Sequence, residues 1–199
     1  MPFPFNPNFP SGFTPVRHAA GGSVRPNYYS IAGGLANNLF RGDLVKPATA
    51  KVLKNIDLVA AGNNPSIGAF KGVNYVDQAG NTFWRPYWPT GTLVLTGTTP
   101  EAYVFDDPEI LFDVMVSGAA GLATSNTGNT ANLTAAIPGN TATGQSGEQL
   151  DQTTLSNAST TQQLQVEELE PLANNQYGQF SRALVRIFLH FRKGIMTPY

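Results

Sequence analysis

Residues 181–193, SRALVRIFLHFRK, decide the fold class of this chain. Every second position is apolar, at Ala183, Val185, Ile187, Leu189 and Phe191, while the other parity mixes Leu184 and Phe188 with Arg182, Arg186, His190 and Arg192. Alternation of this length predicts a β-strand with one fully apolar face. Such a strand cannot bury its apolar face alone, so we expect it to lie inside a sheet or barrel formed by the preceding residues. Its second face needs either solvent with anionic partners or another subunit.

The composition also favours a β protein. The chain has 199 residues, enough for one domain, and only 13% of them are charged, whereas Gly (20) and Pro (15) are abundant. The absence of cysteine excludes disulfides and thiolate zinc sites. No apolar run approaches a membrane span of about 18 residues, and no secretory signal is visible, so we expect no membrane association.

Charge is strongly segregated along the chain. Residues 1–100 carry eight Lys/Arg and three acids, residues 101–170 carry ten acids and no Lys or Arg, and the last 29 carry four Lys/Arg. Either the acidic middle pairs with the basic segments inside one fold, or part of this polarity faces neighbouring subunits and sets their register. An overall basic excess is absent, so we expect no direct nucleic-acid partner.

The predicted organisation is a single domain with an extended arm. Residues 1–26 are predicted to form the N-terminal arm, because five prolines in the first fifteen residues disfavour a helix and Gly21-Gly22 provides a hinge. Residues 27–193 are predicted to form a β-barrel or sandwich-like domain, with a long Gly/Asn/Thr-rich loop at 117–161 and a short tail at 194–199.

Turn signals divide the domain into short segments. We predict strands at residues 27–32, 39–45, 67–76, 82–88, 92–96, 102–105, 110–116 and 163–169, and either a strand or a short helix at 51–61. Gly68 and Gly72 indicate a bulge or bend in the segment 67–76, a hairpin turn is predicted at 77–81, and Pro86 indicates an edge or broken strand.

The acidic group Asp106, Asp107, Glu109 and Asp113 is the best candidate for catalysis or cation binding. The order Asp-Asp-Pro-Glu is typical of a turn between two strands, and that is the interpretation we adopt. His18 and His190 have no acid or second histidine at ligand spacing, and no nucleophile elbow or phosphate-binding glycine pattern is present. We therefore expect no catalytic, cofactor or metal site and no enzymatic activity.

Two groups of aromatic residues remain to be explained. Phe3, Phe5, Phe9 and Phe13 alternate with the prolines of the arm, and these rings either fold back on their own domain or dock into a neighbouring chain. Trp84, Tyr87 and Trp88 either plug a barrel end or subunit contact, or form a platform for sugar rings or bases.

Several segments, taken in order, resemble a family of small β-barrel virion proteins of tailed bacteriophages that decorate or cement the capsid. They are LFRGDLVKP (39–47), IGAFKGVNYVD (67–77) with Gly80, YWP (87–89), AYVFDDP (102–108), TGQSGEQL (143–150) and LVRI (184–187). The resemblance spans about residues 35–191, and this chain departs from the family in its arm and its long loop. It implies a head-decoration role, symmetric oligomers on the shell and no enzymatic activity, and it brings no catalytic residues.

We therefore expect a structural protein on the outside of a phage capsid that clips adjacent major capsid protein subunits together. A dimer or trimer is expected on the shell. The expected interface residues are Phe3, Phe5, Phe9 and Phe13 as anchors, Arg17 and Arg25 toward an acidic surface, and Trp84, Tyr87 and Trp88. A head-fibre or tail component is an alternative that should show sequence repeats, which we do not find, and a carbohydrate-binding module is a second alternative.

Overall fold

The computed structural model describes residues 6–31, 35–49, 52–134 and 137–193, and in these residues the protein is mainly β, as expected. The strands are β1 Thr14–His18, β2 Asn27–Ile31, β3 Leu39–Phe40, β4 Leu44–Thr49, β5 Val52–Leu58, β6 Gly68–Val76, β7 Thr82–Arg85, β8 Tyr87–Trp88, β9 Glu101–Phe105, β10 Ile110–Met115, β11 Thr130–Ala131, β12 Leu164–Leu169 and β13 Arg182–Ile187. Two short 3-10 helices, Thr124–Asn126 and Gln152–Thr154, complete the described elements.

Five of these strands close into a barrel. They pair in the order β4-β5-β2-β9-β6, and β6 pairs back with β4 to close the ring. All contacts in the ring are antiparallel except that between β2 and β5. The interior is filled by a separate apolar cluster that includes Ile31, Val45, Ile56, Phe70 and Val104. The barrel therefore has its own packed apolar core.

The predicted bend in β6 is confirmed. The pairing of β6 with β9 shifts register between Phe70 and Gly72, which is the signature of a bulge. At Gly68 an added Cβ would lie 2.1 Å from the Phe105 carbonyl oxygen. Glycine is required there because two backbones of the barrel approach each other more closely than any side chain permits.

The second sheet is antiparallel and has the quoted C-terminal stretch at its centre. Its order is β1-β10-β13-β12-β11. The predicted apolar face is confirmed over β13, where Ala183, Val185 and Ile187 are buried, but the strand ends at Ile187, short of the expected residue 193. Leu184 on the opposite face is also buried. The sheet thus contributes side chains to the core from both of its faces.

Several described parts of the stretch 117–161 contact this second sheet. The stretch is irregular apart from β11 and the two 3-10 helices, yet three of its large apolar residues, Leu122, Leu133 and Leu150, are buried in the core. Gly121 has a φ of +58°, and an added Cβ would lie 1.6 Å from the Gly178 carbonyl oxygen. The expected loop is therefore largely irregular, and several of its described residues are anchored in the core of the domain.

Two strand predictions are corrected and one ambiguity is resolved. Residues 39–45 are not one strand, because the chain turns at Gly42 (φ +94°) and the two halves join different sheets. Residues 92–96 form no strand and contribute only an isolated bridge at Val94. Within 51–61 the ambiguity is resolved in favour of the strand β5.

The N-terminal segment is also more integrated than an arm ending at residue 26. Thr14–His18 form β1, the edge strand of the second sheet, paired with β10. Phe13 is buried in the core beneath that sheet and packs edge-on against Phe112 at 6.3 Å between ring centroids. The expected boundary between arm and domain is therefore misplaced, since the domain already includes residues 13–18.

Candidate interaction surfaces

The acidic turn between β9 and β10 is engaged in contacts within the chain. The Asp106 carboxylate is buried and accepts hydrogen bonds from Asn27 Nδ2 at 2.7 Å and from the Tyr29 hydroxyl. Arg192 Nη2 lies 2.7 Å from Asp106 Oδ2. Burial, followed by this hydrogen bond to Asp106, raises the pKa of the Tyr29 hydroxyl. The arrangement is a neutralised, internally satisfied cluster.

The neighbouring carboxylates of the same turn are satisfied as well. The Glu109 backbone N–H donates to Asp107 Oδ1 at 2.9 Å and, together with His18 at 3.2 Å, lowers the pKa of Asp107. Lys193 lies 2.7 Å from Glu109 and lowers the pKa of that carboxyl. These contacts fit the structural interpretation of the turn.

No cluster in the described ranges has the makings of a metal site, since no three His, Asp or Glu side chains converge there. None of the helical turns in those ranges has the length and apolar character of a membrane span.

His190 and Ser66 are buried neighbours joined by a backbone bridge. His190 Nδ1 accepts a hydrogen bond from the Arg192 backbone N–H at 3.1 Å, while Nε2 and the Ser66 hydroxyl have no partner among the described residues. Burial lowers the pKa of His190 to about 4. A neutral imidazole and a hydroxyl with no access for a substrate do not form a reactive site.

The segregated charges pair inside the fold. Each of the six ion pairs in the described residues joins a basic residue near one terminus to an acid between residues 101 and 170. They are Arg17–Glu168, His18–Asp107, Arg182–Asp113, Arg186–Glu167, Arg192–Asp106 and Lys193–Glu109. Of the two interpretations of the charge pattern, the contacts therefore support intramolecular pairing.

A buried pair of acids was not anticipated from the sequence. Asp43 accepts the Phe40 backbone N–H at 2.7 Å, and Glu148 accepts the Leu44 backbone N–H at 2.8 Å. Burial raises the pKa of Asp43 to about 6, and burial together with the nearby Asp43 raises the pKa of Glu148. The two acids lie far apart in sequence, and only the fold of residues 39–49 against 144–148 brings them together.

The expected anchors of the N-terminal segment separate into three groups. Phe3 and Phe5 lie outside the described residues. The assignment of Phe13 as an anchor on another molecule is wrong, because its ring is buried in the core of its own domain. Phe9 alone among the described anchors is free, with 60% of its surface exposed.

The two basic residues assigned to an acidic partner also differ from each other. Arg17 is paired with Glu168 of its own chain, so its charge is already satisfied. Arg25 is exposed and forms no ion pair with any described residue. Arg25 therefore remains the better candidate for an external acidic contact.

The backbone around Phe9 is held at several points. Asn6 donates to the carbonyl oxygens of Gln176 and Gln179 at 2.8 and 2.9 Å and accepts the Gln176 N–H at 3.0 Å. Arg182 donates to the Phe9 carbonyl oxygen at 3.3 Å and to the Ser11 hydroxyl at 3.0 Å. The Phe9 ring is thus presented to solvent by a fixed backbone.

Tyr177 lies between the two residues that Asn6 holds, and it is exposed, as is Leu172 a few residues earlier. We call Phe9, Leu172 and Tyr177 the N-terminal patch.

The aromatic trio of residues 84–88 does not form a single surface. Trp88 is buried in the barrel cluster and packs edge-on against Tyr75 at 5.4 Å, while Tyr87 stacks on Phe40 at 5.6 Å. Trp84 is exposed on β7. Tyr87 and Trp88 therefore pack within their own chain, and of the three residues Trp84 is the exposed one.

The comparisons with known proteins give no further guide to this chain: no family model, no curated protein and no solved structure matches it.

Proposed function

We propose that this protein is a non-enzymatic structural component of a bacteriophage virion that decorates and cements the capsid by bridging adjacent major capsid protein subunits. The proposal rests on the ordered resemblance of residues 35–191 to capsid decoration proteins and on one structural observation. That observation is the exposed Phe9 ring on a backbone that is held in place.

An exposed phenyl ring on a fixed backbone is suited to docking. Ordering a flexible segment upon binding costs free energy, and a segment that is already fixed avoids much of that cost. Asn6 and Arg182 hold the backbone on both sides of Phe9, while 60% of the residue's surface is exposed to solvent. Large aromatic side chains are typical of the few residues that dominate binding energy at interfaces.

The N-terminal patch then acts as one contact of a clip. Leu172 and Tyr177 add two exposed apolar side chains, with Tyr177 next to a residue that Asn6 holds, and Arg25 supplies a positive charge elsewhere on the domain. Many copies on one shell make a modest affinity at each contact sufficient, because neighbouring contacts on a fixed lattice act together. The compact barrel and second sheet serve as the rigid body between these contacts.

The test uses capsids of the phage whose genome encodes this chain, stripped of the protein. Wild-type protein should sediment with these capsids, and Phe9→Ser should reduce the apparent affinity at least tenfold, since one apolar anchor is lost. Leu93→Ser is the matched control, because Leu93 is 66% exposed and lies outside the patch. Its occupancy on the capsids should equal that of the wild type.

Two results would overturn the proposal. One is the absence of this protein from purified virions by mass spectrometry. The other is equal capsid binding by wild type, Phe9→Ser and a Phe9→Ser/Tyr177→Ser double variant. Circular dichroism of each variant establishes that the fold is retained.

A further inference from the structure

A second exposed aromatic surface lies on the outside of the barrel. Tyr28 on β2 is the cross-strand partner of Tyr103 on β9, and Tyr103 is the partner of Gly72 on β6. Trp84 on β7 pairs with Asn74, the next outward-facing position of β6. We call Tyr28, Tyr103 and Trp84 the outer aromatic platform. It crosses four strands, a span of roughly 14 Å at the usual strand spacing.

The three aromatic side chains are arranged in contact with the sheet. The rings of Tyr28 and Tyr103 are 5.0 Å apart between centroids. The indole of Trp84 covers Gly72, where an added Cβ would lie 2.9 Å from its Cζ2 atom and 3.3 Å from its Cε2 atom. The absence of a side chain at Gly72 thus lets the indole lie over the sheet on the Tyr103 side of its own strand.

These rings remain open to solvent although burial would stabilise the fold. Tyr28 is 63% exposed and Trp84 is 52% exposed. An aromatic side chain that is fully buried removes 150–250 Å² from water. Grouped exposed aromatics on a rigid sheet mark a binding surface more often than scattered apolar residues do.

Polar groups lie beside the rings on the same outward face. Asn74 donates from Nδ2 to the Tyr103 hydroxyl at 2.6 Å, which fixes that ring and leaves the Asn74 carbonyl oxygen as an acceptor. Glu101 is exposed and is the cross-strand partner of both Ser30 and Asn74. Ring faces beside hydroxyl, amide and carboxylate groups match a ligand with C–H faces and many hydroxyls.

The charge of the surface distinguishes between possible ligands. The carboxylate of Glu101 has no ion-pair partner among the described residues. The basic residues of β6 and β7 direct their charges elsewhere: Lys71 lies over the Phe105 ring and Arg85 lies over Phe83. Binding of a single-stranded nucleic acid needs cations along its phosphates, and the platform offers a negative charge instead.

We propose that the outer aromatic platform binds a neutral oligosaccharide or polysaccharide chain, with sugar rings stacked on Trp84 and Tyr28 and hydroxyls hydrogen-bonded by Asn74 and Glu101. This site is separate from the N-terminal patch and does not depend on the capsid role. On a particle, it would give the protein a second function in adhesion to glycans.

The test begins with the wild-type protein on a broad glycan array, followed by affinity electrophoresis in the best neutral polysaccharide. Trp84→Ala and Tyr28→Ala should each weaken binding at least tenfold, and Trp84→Phe, which keeps a ring, should retain part of it. Phe9→Ala is the matched control, because Phe9 is equally exposed but lies on the other patch. Its glycan affinity should be unchanged.

The two proposals fail in distinguishable ways. Trp84→Ala should retain capsid occupancy, whereas Phe9→Ala should retain glycan binding. The glycan proposal is overturned if the wild type binds nothing on the array, or if Trp84→Ala binds as tightly as the wild type. It is also overturned if Trp84→Ala instead abolishes binding of a single-stranded oligonucleotide or self-association in analytical ultracentrifugation.

Discussion

Asp43 and Glu148 place two carboxyls in the interior with backbone N–H groups as their hydrogen-bond donors. The Ser146 hydroxyl accepts the Glu148 backbone N–H at 2.9 Å, so the same short stretch organises the pair. Two like charges in a buried site cannot both be stable, so the fold retains protons that the unfolded chain releases. This pair therefore links stability to pH.

We expect Glu148→Gln to flatten the dependence of stability on pH. Because burial raises the pKa of Asp43 from 3.8 to about 6 and raises that of Glu148, the folded state binds more protons than the unfolded state above pH 4. The free energy of unfolding therefore decreases as the pH rises through the pKa values that the two carboxyls have in the folded state. From pH 5 to pH 8, the free energy of unfolding measured by urea denaturation should fall by about 1–3 kcal/mol less in Glu148→Gln than in the wild type.

Two features make this comparison interpretable. His190 acts in the opposite direction, since its lowered pKa removes stability as the pH falls from about 6.5 toward 4, but it is present in both proteins and cancels in the difference. Glu101→Gln, at an exposed carboxyl, serves as the control and should follow the wild-type profile. Identical profiles for wild type and Glu148→Gln would contradict the role assigned to the buried pair.

At the scale of elements, β1 shows how a proline-rich segment is built into the domain. Its residues pair with β10, and the preceding Phe13 fills the core below the sheet. The N-terminal segment therefore has two parts. The residues from Phe13 onward belong to the folded domain, and the Phe9 side chain before them is exposed to solvent. Exposure, rather than residue type, separates the two phenylalanines.

We expect Phe13→Ala to lower the free energy of unfolding by about 3–5 kcal/mol, because a fully buried aromatic ring is removed and a cavity remains. Phe9→Ala should change it by less than about 0.5 kcal/mol. Chemical denaturation of both variants measures the difference directly. Equal effects of the two substitutions would show that the Phe13 ring is not part of the core in solution.

Local sequence patterns predicted individual elements well, but they did not predict which elements pack or pair with each other. The alternation at 183–187, the bulge at Gly72 and the break at Pro86 are visible in the sequence because they depend on side-chain period and backbone chemistry. The split of residues 39–45 is not visible, because the turn at Gly42 is required by sheets formed with distant segments. The burial of Leu122, Leu133 and Leu150 was missed because isolated leucines in a polar stretch give no periodic signal.

The candidate surfaces were predictable only in part for the same reason. Trp84 was identified from its residue type, but its companions Tyr28 and Tyr103 join it through the register of four strands. Composition gave the segregation of charge, whereas the six pairings that neutralise it depend on the fold. Surfaces made from several strands cannot be derived from spacing along one of them.

Considered as a whole, the molecule is joined by contacts between its ends and its middle. β13 lies between β10 and β12, and Arg182 contacts Asp113 through Nη2 at 2.5 Å. Arg192 and Lys193 contact the acidic turn that follows the last strand of the barrel. Residues 182–193 therefore join the centre of the second sheet to the turn that follows the barrel strand β9.

We expect a chain truncated after residue 179 to lose cooperative unfolding of the whole domain. Without β13, the apolar faces of β10 and β12 have no partner between them, and four of the six ion pairs lose their basic residue. Differential scanning calorimetry should show a broad transition or none. A single sharp transition at the wild-type temperature would contradict the central role of β13. Leu93→Ser, at an exposed position, is the control and should preserve the transition.

The position of β13 also has a consequence for biosynthesis. A ribosome adds about 5–20 residues per second, so roughly 3–13 s pass between completion of β10 and the arrival of the strand that fills the gap beside it. During that interval the nascent polypeptide carries unpaired strand edges that other emerging chains could join. Cells making this protein in quantity should therefore rely on chaperones that shield the growing chain until β13 has been made.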